Sequence, residues 1–330
     1  MPLNKLPITL LSTVEVPAQD SYVVWDSLEQ RITFSALQPL VTFQGTTSGY
    51  ASGGTAPGAR VNTIDKFPFP TNANATDVGD LTQVRNAAAG QSSSTSGYTS
   101  GGATPTASNV IDKFPFATNA NATDVGDLTQ ARYNPAGQAS DYYGYTSGGS
   151  TGFFSSRIDK FTFAADGSAT SIGSLSTSRA GAAGQSSDTH GYTSGGYFPS
   201  VTNVIDKFPF ASDSSASDVG DLTVARRTTA GQSSTTHGYT AGGFTTAAVN
   251  NIDKFPFASD SNATDVGGLN QTRSAGAGQS STDSGYTAGG VTPSPANSAS
   301  IDKFSFSADG NATFVGNLTQ ARQAAAGQQI

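Results

Sequence analysis

The residues best suited to chemistry are few. His190 and His237 are the only imidazoles in 330 residues, and each directly precedes a Gly-Tyr pair. An acid–base pair or a zinc site needs partners of matching type, such as Cys, Glu or a third His. Cysteine is absent, and the two glutamates, Glu15 and Glu29, lie far upstream. The histidines therefore read as solvated turn residues, and no catalytic residue, metal ligand set or cofactor is assigned. The turns Asp213–Asp218 (DSSASD) and Asp260–Asp265 (DSNATD) alternate acidic with other oxygen-bearing side chains, as calcium loops do. They lack the central glycine and distant bidentate glutamate of that motif. The Asn-x-Thr triplets at Asn74, Asn121, Asn262, Asn311 and Asn317 read as turn residues too.

Two groups remain as candidate ligand-binding residues. Arg85, Arg132, Arg179, Arg226, Arg273 and Arg322 recur at one place in a repeating unit. Gathered around one mouth, their planar guanidinium groups would suit a carboxylate or sulfate. Recurrence in every unit favours the alternative, in which each bonds backbone carbonyls or an aspartate of a neighbouring unit, since a ligand rarely contacts all six. The second group is Phe153, Phe154, Tyr197, Phe198 and Phe244, in segments that change freely while their surroundings hardly change. Variable loops on a constant frame are where recognition is usually placed, and exposed rings suit sugar or protein surfaces. Asp65-Lys66, Asp112-Lys113 and their copies differ from both groups. Adjacent strand residues face opposite ways, so each pair is expected to serve two contacts between units.

The frame that positions these residues is a repeat. Gly-Tyr recurs at Tyr50 and Tyr98, then every 47 residues at Tyr145, Tyr192, Tyr239 and Tyr286. IDKF starts at Ile64, Ile111, Ile158, Ile205, Ile252 and Ile301. Each unit divides into four short segments, AAGQSS, GYTSGG, IDKF-x-F and VGDLT, separated by Gly, Ser, Asn and Asp turns. Paired glycines and prolines at this density exclude helix, so the expected fold is all-β, a six-bladed β-propeller over residues 46–330. A propeller commonly closes by letting one chain end complete the first blade. The segment AAAGQQI at 324–330 is the favoured closing strand, with Val41–Ser48 as the competing candidate. Ile64, Phe67, Phe69, Val78, Leu81 and their copies are the expected core. Pro68, Pro115, Pro209 and Pro256 should end or bulge the third strand.

Residues 1–45 are different material, a β-rich N-terminal arm containing ITLLSTVEV, YVVW and ITFSALQPLVTF. It is expected either to pack on the propeller or to pair with another chain, through Tyr22, Trp25 and Phe34. Pro7 and Glu15 interrupt its first apolar run, so no cleaved leader is expected. The net charge of −7 argues against nucleic acid, which would favour an excess of Lys and Arg. No run is long enough for a membrane span.

The Gly-Gly pair ending the second segment (Gly53-Gly54, Gly101-Gly102), the aromatic of the third (Phe67, Phe114, Phe161) and the closing Arg resemble the kelch repeat family over residues 46–330. The sequence departs from that pattern in having no Trp in the fourth segment; its one Trp, Trp25, lies outside the repeats. The wording IDKFPF, DVGDLTQAR, AAGQSS and GYTSGG also resembles repeats of marine bacteriophage virion proteins. The resemblances imply a non-enzymatic structural or host-recognition protein of a virion, a fibre-tip, decoration or adhesion module. Its arm would hold other virion proteins, its loops would bind cell-surface glycan, and a homo-oligomer is an option. A bacterial or archaeal surface adhesin and a kelch-type protein-interaction module are the alternative readings.

Overall fold

A computed structural model describes residues 21–26, 31–36, 44–293 and 296–330. The chain divides into two compact units, residues 1–41 and 42–330. In the first, Ser21–Asp26 pairs antiparallel with Arg31–Ala36, Ser21 opposite Ala36 and Asp26 opposite Arg31. Tyr22, Trp25 and Phe34 fall on these strands, but the surroundings of their side chains lie outside what is described.

The second unit is a six-bladed β-propeller, each blade a four-stranded antiparallel sheet. Blade 2 is typical: Ala89–Ser92, Ser96–Ser100, Val110–Pro115 and Thr123–Asp127 run from the axis outward. Blade 1 takes its innermost strand from the far end of the chain, Ala326–Gln329, beside Ser48–Ser52, Thr63–Pro68 and Thr76–Asp80. Where the third strand carries a proline, it ends on it, at Pro68, Pro115, Pro209 and Pro256. A proline at the last position spares the ladder the amide it cannot supply.

The glycines explain why these short strands pack so closely. In the innermost strands, a Cβ on Gly90 would lie 2.1 Å from the Gly327 carbonyl oxygen, and one on Gly137 would lie 2.3 Å from that of Gly90. The same relation passes through Gly184, Gly231 and Gly278 back to Gly327, so six glycine backbones touch around the axis. In the second strands, glycine makes room for a ring: a Cβ on Gly97 would meet Phe114 Cζ at 2.3 Å.

The core lies between blades. Tyr50, Ile64 and Leu81 of blade 1 pack with Phe114 and Phe116 of blade 2, while Phe67 and Phe69 of blade 1 pack with Tyr286 of blade 6. Each blade thus offers a Tyr-Ile-Leu face to one neighbour and a Phe-x-Phe face to the other. The Tyr–Phe ring pairs stand 4.6–4.9 Å apart where they run closest, as at Phe69–Tyr286 and Tyr50–Phe116. A blade alone would leave both faces wet, so burial rewards only the assembled ring.

Candidate functional site

The repeating arginines are enclosed. All six are 0–1% exposed, and each guanidinium reaches an aspartate of the following blade: Arg85–Asp112 at 2.9 Å, Arg132–Asp159 at 3.2 Å, Arg322–Asp65 at 3.1 Å. They also donate to backbone carbonyls, as Arg85 does to Thr99 and Val110 and Arg132 does to Thr146. The aspartate is held in turn by the amide and hydroxyl of Thr82 or its Thr and Ser copies, except at Asp302, where Asn270 gives its amide alone. Burial pushes Arg85, Arg132, Arg179, Arg273 and Arg322 down from the ordinary range, and the paired aspartate pushes back. An arginine ring open to an acidic ligand at the mouth is therefore not what these side chains make. Their charge is spent inside the seams, because a lone buried aspartate would be far costlier than a matched pair.

In four of the six copies the lysine next to the aspartate turns to the opposite neighbour, while Lys66 and Lys303 stand over the Tyr50 and Tyr286 rings. Lys113 meets Asp166 at 3.0 Å and Lys254 meets Asp309 at 2.6 Å. Asp213 and Asp260, in the calcium-like turns, are taken by Lys160 and Lys207 in the same way. No three His, Asp or Glu side chains come together as a metal ligand set among the described residues. His190 and His237 each face the hydroxyl of the preceding threonine, at 2.8 Å, and partial burial holds both below the usual histidine range.

The two ends of the propeller differ. At one end the chain enters near the axis: Gly45 donates to the Ser280 carbonyl, and Gln44 Nε2 donates to the carbonyls of Ser233 and Ser281. These carbonyls lie where the innermost strands turn to the second. The variable segments follow the second strands, so they stand at the other end. There, residues 87, 134, 181, 228, 275 and 324 form a closed belt. Asn134 donates its amide to the Ala87 carbonyl, Gly181 to Asn134, Thr228 to Gly181, Ala275 to Thr228, Ala324 to Ala275 and Ala87 to Ala324, at 2.6–2.8 Å. All six residues have φ between 53° and 68°, the left-handed conformation that turns each amide toward its neighbour around the axis. Five of them are not glycine, which carries a strain cost the belt must offset.

Above the belt lies a cleft at the axial mouth. A cavity of about 520 Å³ is walled by Arg60, Asn86, Pro105, Tyr133, Asn134 and Gln323, among others. It is continuous at Tyr133, Asn134 and Thr228 with a groove of about 180 Å³ that Phe154, Tyr197 and Arg227 line. Such volumes suit a small ligand. The ring of Phe154 lies 5.6 Å from Tyr197 and 5.1 Å from Phe198. The Arg227 guanidinium stands over Tyr197 at 4.8 Å and over Phe244 at 5.4 Å. Phe154, Tyr197, Phe198 and Phe244 thus gather from blades 3, 4 and 5. Phe153 is 86% exposed at a loop tip and makes no ring pair.

Tyr133, Arg227 and Arg60 were not singled out from sequence. A signal for the first two exists: the position after each repeating arginine reads Asn86, Tyr133, Ala180, Arg227, Ser274 and Gln323. It varies as freely as the loops do, and it bridges to them, Tyr133 to Ser150 and Arg227 to Phe244. No helix among the described residues is long and apolar enough to cross a membrane. No protein-family model matches this chain, and a search of the curated proteins finds none that matches.

Proposed function

We propose that this protein is a non-enzymatic recognition module in which the axial mouth binds a cell-surface glycan and the N-terminal segment attaches the propeller to a larger assembly. The observation that carries this reading is the gathering of aromatic rings from three successive copies with Arg227 at a cleft, in otherwise near-identical repeats. Rings that stack on sugar faces, beside polar groups that orient hydroxyls, are what a saccharide site requires. The resemblance of the repeat wording to marine phage virion proteins supports a virion as that assembly, with the propeller as a fibre-tip or decoration.

The test is binding of the full-length chain to a glycan array, with Tyr197→Ala and Phe154→Ala as mouth variants. Retained glycans that both variants lose would support the reading. Binding unaffected by either variant would remove the mouth from the proposal, and no binding to any glycan would remove recognition. Detection of the uncleaved chain in purified particles would test the virion assignment, and a processed N-terminus on a cell surface would replace it with an adhesin.

A further inference from the structure

The mouth contains cations whose situation differs from that of every repeating arginine. Arg227 directly follows Arg226, whose guanidinium is buried against Asp253 at 3.0 Å. Arg227 instead sits half-buried between blades 4 and 5 with Tyr197 and Phe244 against it, and among the described residues its guanidinium meets no carboxylate. The equivalent positions in the other five copies carry no charge: Asn86, Tyr133, Ala180, Ser274 and Gln323. Arg60, from the blade 1 loop, is exposed on the adjoining cavity, where its Nε donates to Asn86 Oδ1 at 3.1 Å. No Asp or Glu lines either the cavity or the groove. In a chain of net charge −7, the mouth is a local reversal of sign.

This arrangement has a specific chemical meaning. A guanidinium held against aromatic faces is fixed in orientation and partly desolvated, yet its N–H edge stays available. Such an edge matches two oxygens of a planar carboxylate, forming parallel charge-assisted hydrogen bonds. A ligand without an anionic group would leave that edge without a partner as the groove closes on it, which costs binding.

We infer that Arg227 is the specificity-determining residue of the mouth and that its ligand class is a carboxylate-bearing saccharide, a uronic or sialic type of sugar. The carboxylate lies on the Arg227 edge, the sugar ring faces Phe154 and Tyr133, and Arg60 supplies a second positive charge for a longer acidic chain. This inference rests on the proposed glycan site and adds its charge requirement.

The experiment uses the full-length chain, two probe pairs (oligogalacturonate with its methyl ester and sialyllactose with lactose) and a sulfated oligosaccharide, each by calorimetry at low and moderate salt. The expected result is binding of at least one acidic probe at least tenfold tighter than its neutral partner. Arg227→Gln should abolish that preference, Arg227→Lys should restore part of it, and both should keep the thermal midpoint within about 5 °C of wild type. Equal binding of acidic and neutral probes, unchanged in Arg227→Gln, overturns the inference and leaves the glycan site standing. Binding of a sulfated oligosaccharide without any carboxylated one overturns the carboxylate assignment. Absence of binding to every saccharide, neutral ones included, overturns the glycan reading and the inference with it.

Discussion

The seam between blades 2 and 3 and the seam between blades 6 and 1 use the same kinds of residue, joined to different extents. At the former, Gln91 Nε2 donates to Ser100 Oγ, to the Tyr145 carbonyl and to Thr146 Oγ1, and the Ser100 and Thr146 hydroxyls meet at 2.8 Å. Lys113–Asp166 adds an ion pair nearer the rim. At the latter, Ala288 and Ala51 stand where Ser and Thr stood, and Gln279 Nε2 reaches the Tyr50 carbonyl. Its Oε1 is buried with no partner. The counterpart of Asp166 is Asn72, so Lys303 has no carboxylate to meet there. What both seams keep is the arginine–aspartate pair and the Tyr–Phe packing. The constant elements therefore hold the ring, and the polar bridges adjust how firmly each seam is shut. The closing seam lacks the hydroxyl bridge and the lysine ion pair, and hydrogen bonds from Gly45 to Ser280 and from Asn297 to Thr55 cross it instead.

The largest effect should come from what the two seams share. Arg132→Ala and Arg322→Ala each strand a buried aspartate, Asp159 or Asp65, and each should cost about 3–5 kcal/mol in denaturant unfolding. A clearly smaller loss for Arg322→Ala would mean that the closing seam already opens in the native state. Next is the axis. Gly137→Ala puts a methyl against the Gly90 carbonyl and should cost about 1–3 kcal/mol by overpacking, read from the same unfolding curves. Repair of the weak seam comes third. Ala288→Ser offers Gln279 Oε1 a donor, and adding Ala51→Thr restores the hydroxyl bridge. The pair should gain about 1 kcal/mol and more than the sum of the two single changes. Amide exchange in Ala326–Gln329 should slow in parallel, and unchanged exchange would separate seam polarity from closure. The smallest effect belongs to the rim: Phe153→Ser should stay within about 0.5 kcal/mol of wild type, since that ring is spread over solvent.

Alkaline titration sharpens the comparison from another side. Burial in the seams raises the phenols of Tyr50, Tyr145, Tyr192, Tyr239 and Tyr286 to about 12. Below pH 10 they are protonated folded or unfolded, and stability is untouched. Above that, the unfolded chain loses these protons first, so the fold should weaken progressively up to about pH 12. Melting temperatures across pH 8–12 would show this, and a flat profile would contradict the enclosure of the rings.

The blade count and strand order were legible because each copy restates the same four segments with the same turn residues. The seams were only partly legible. Asp-Lys repetition announced contacts between units, and the strand alternation that turns the two side chains apart follows from elementary geometry. That the arginines end inside those contacts depends on how the connection after Leu81 or Leu128 folds back, and spacing alone leaves it open. Phe67 and Ile64, three residues apart and both buried, serve opposite neighbours, which no single unit reveals. The mouth was half legible. The loops advertised themselves by varying, whereas Arg227 was masked by standing beside the repeating Arg226, so the pair resembled a doubled copy of one residue.

The touching glycines along the axis also act as a gauge of copy number. A seventh unit would spread the inner strands and leave a hole at the centre. A five-unit ring would drive carbonyls into one another where no side chain remains to give way. The touching inner glycines thus match a ring of six units and no other number, while the outer loops carry no comparable steric limit.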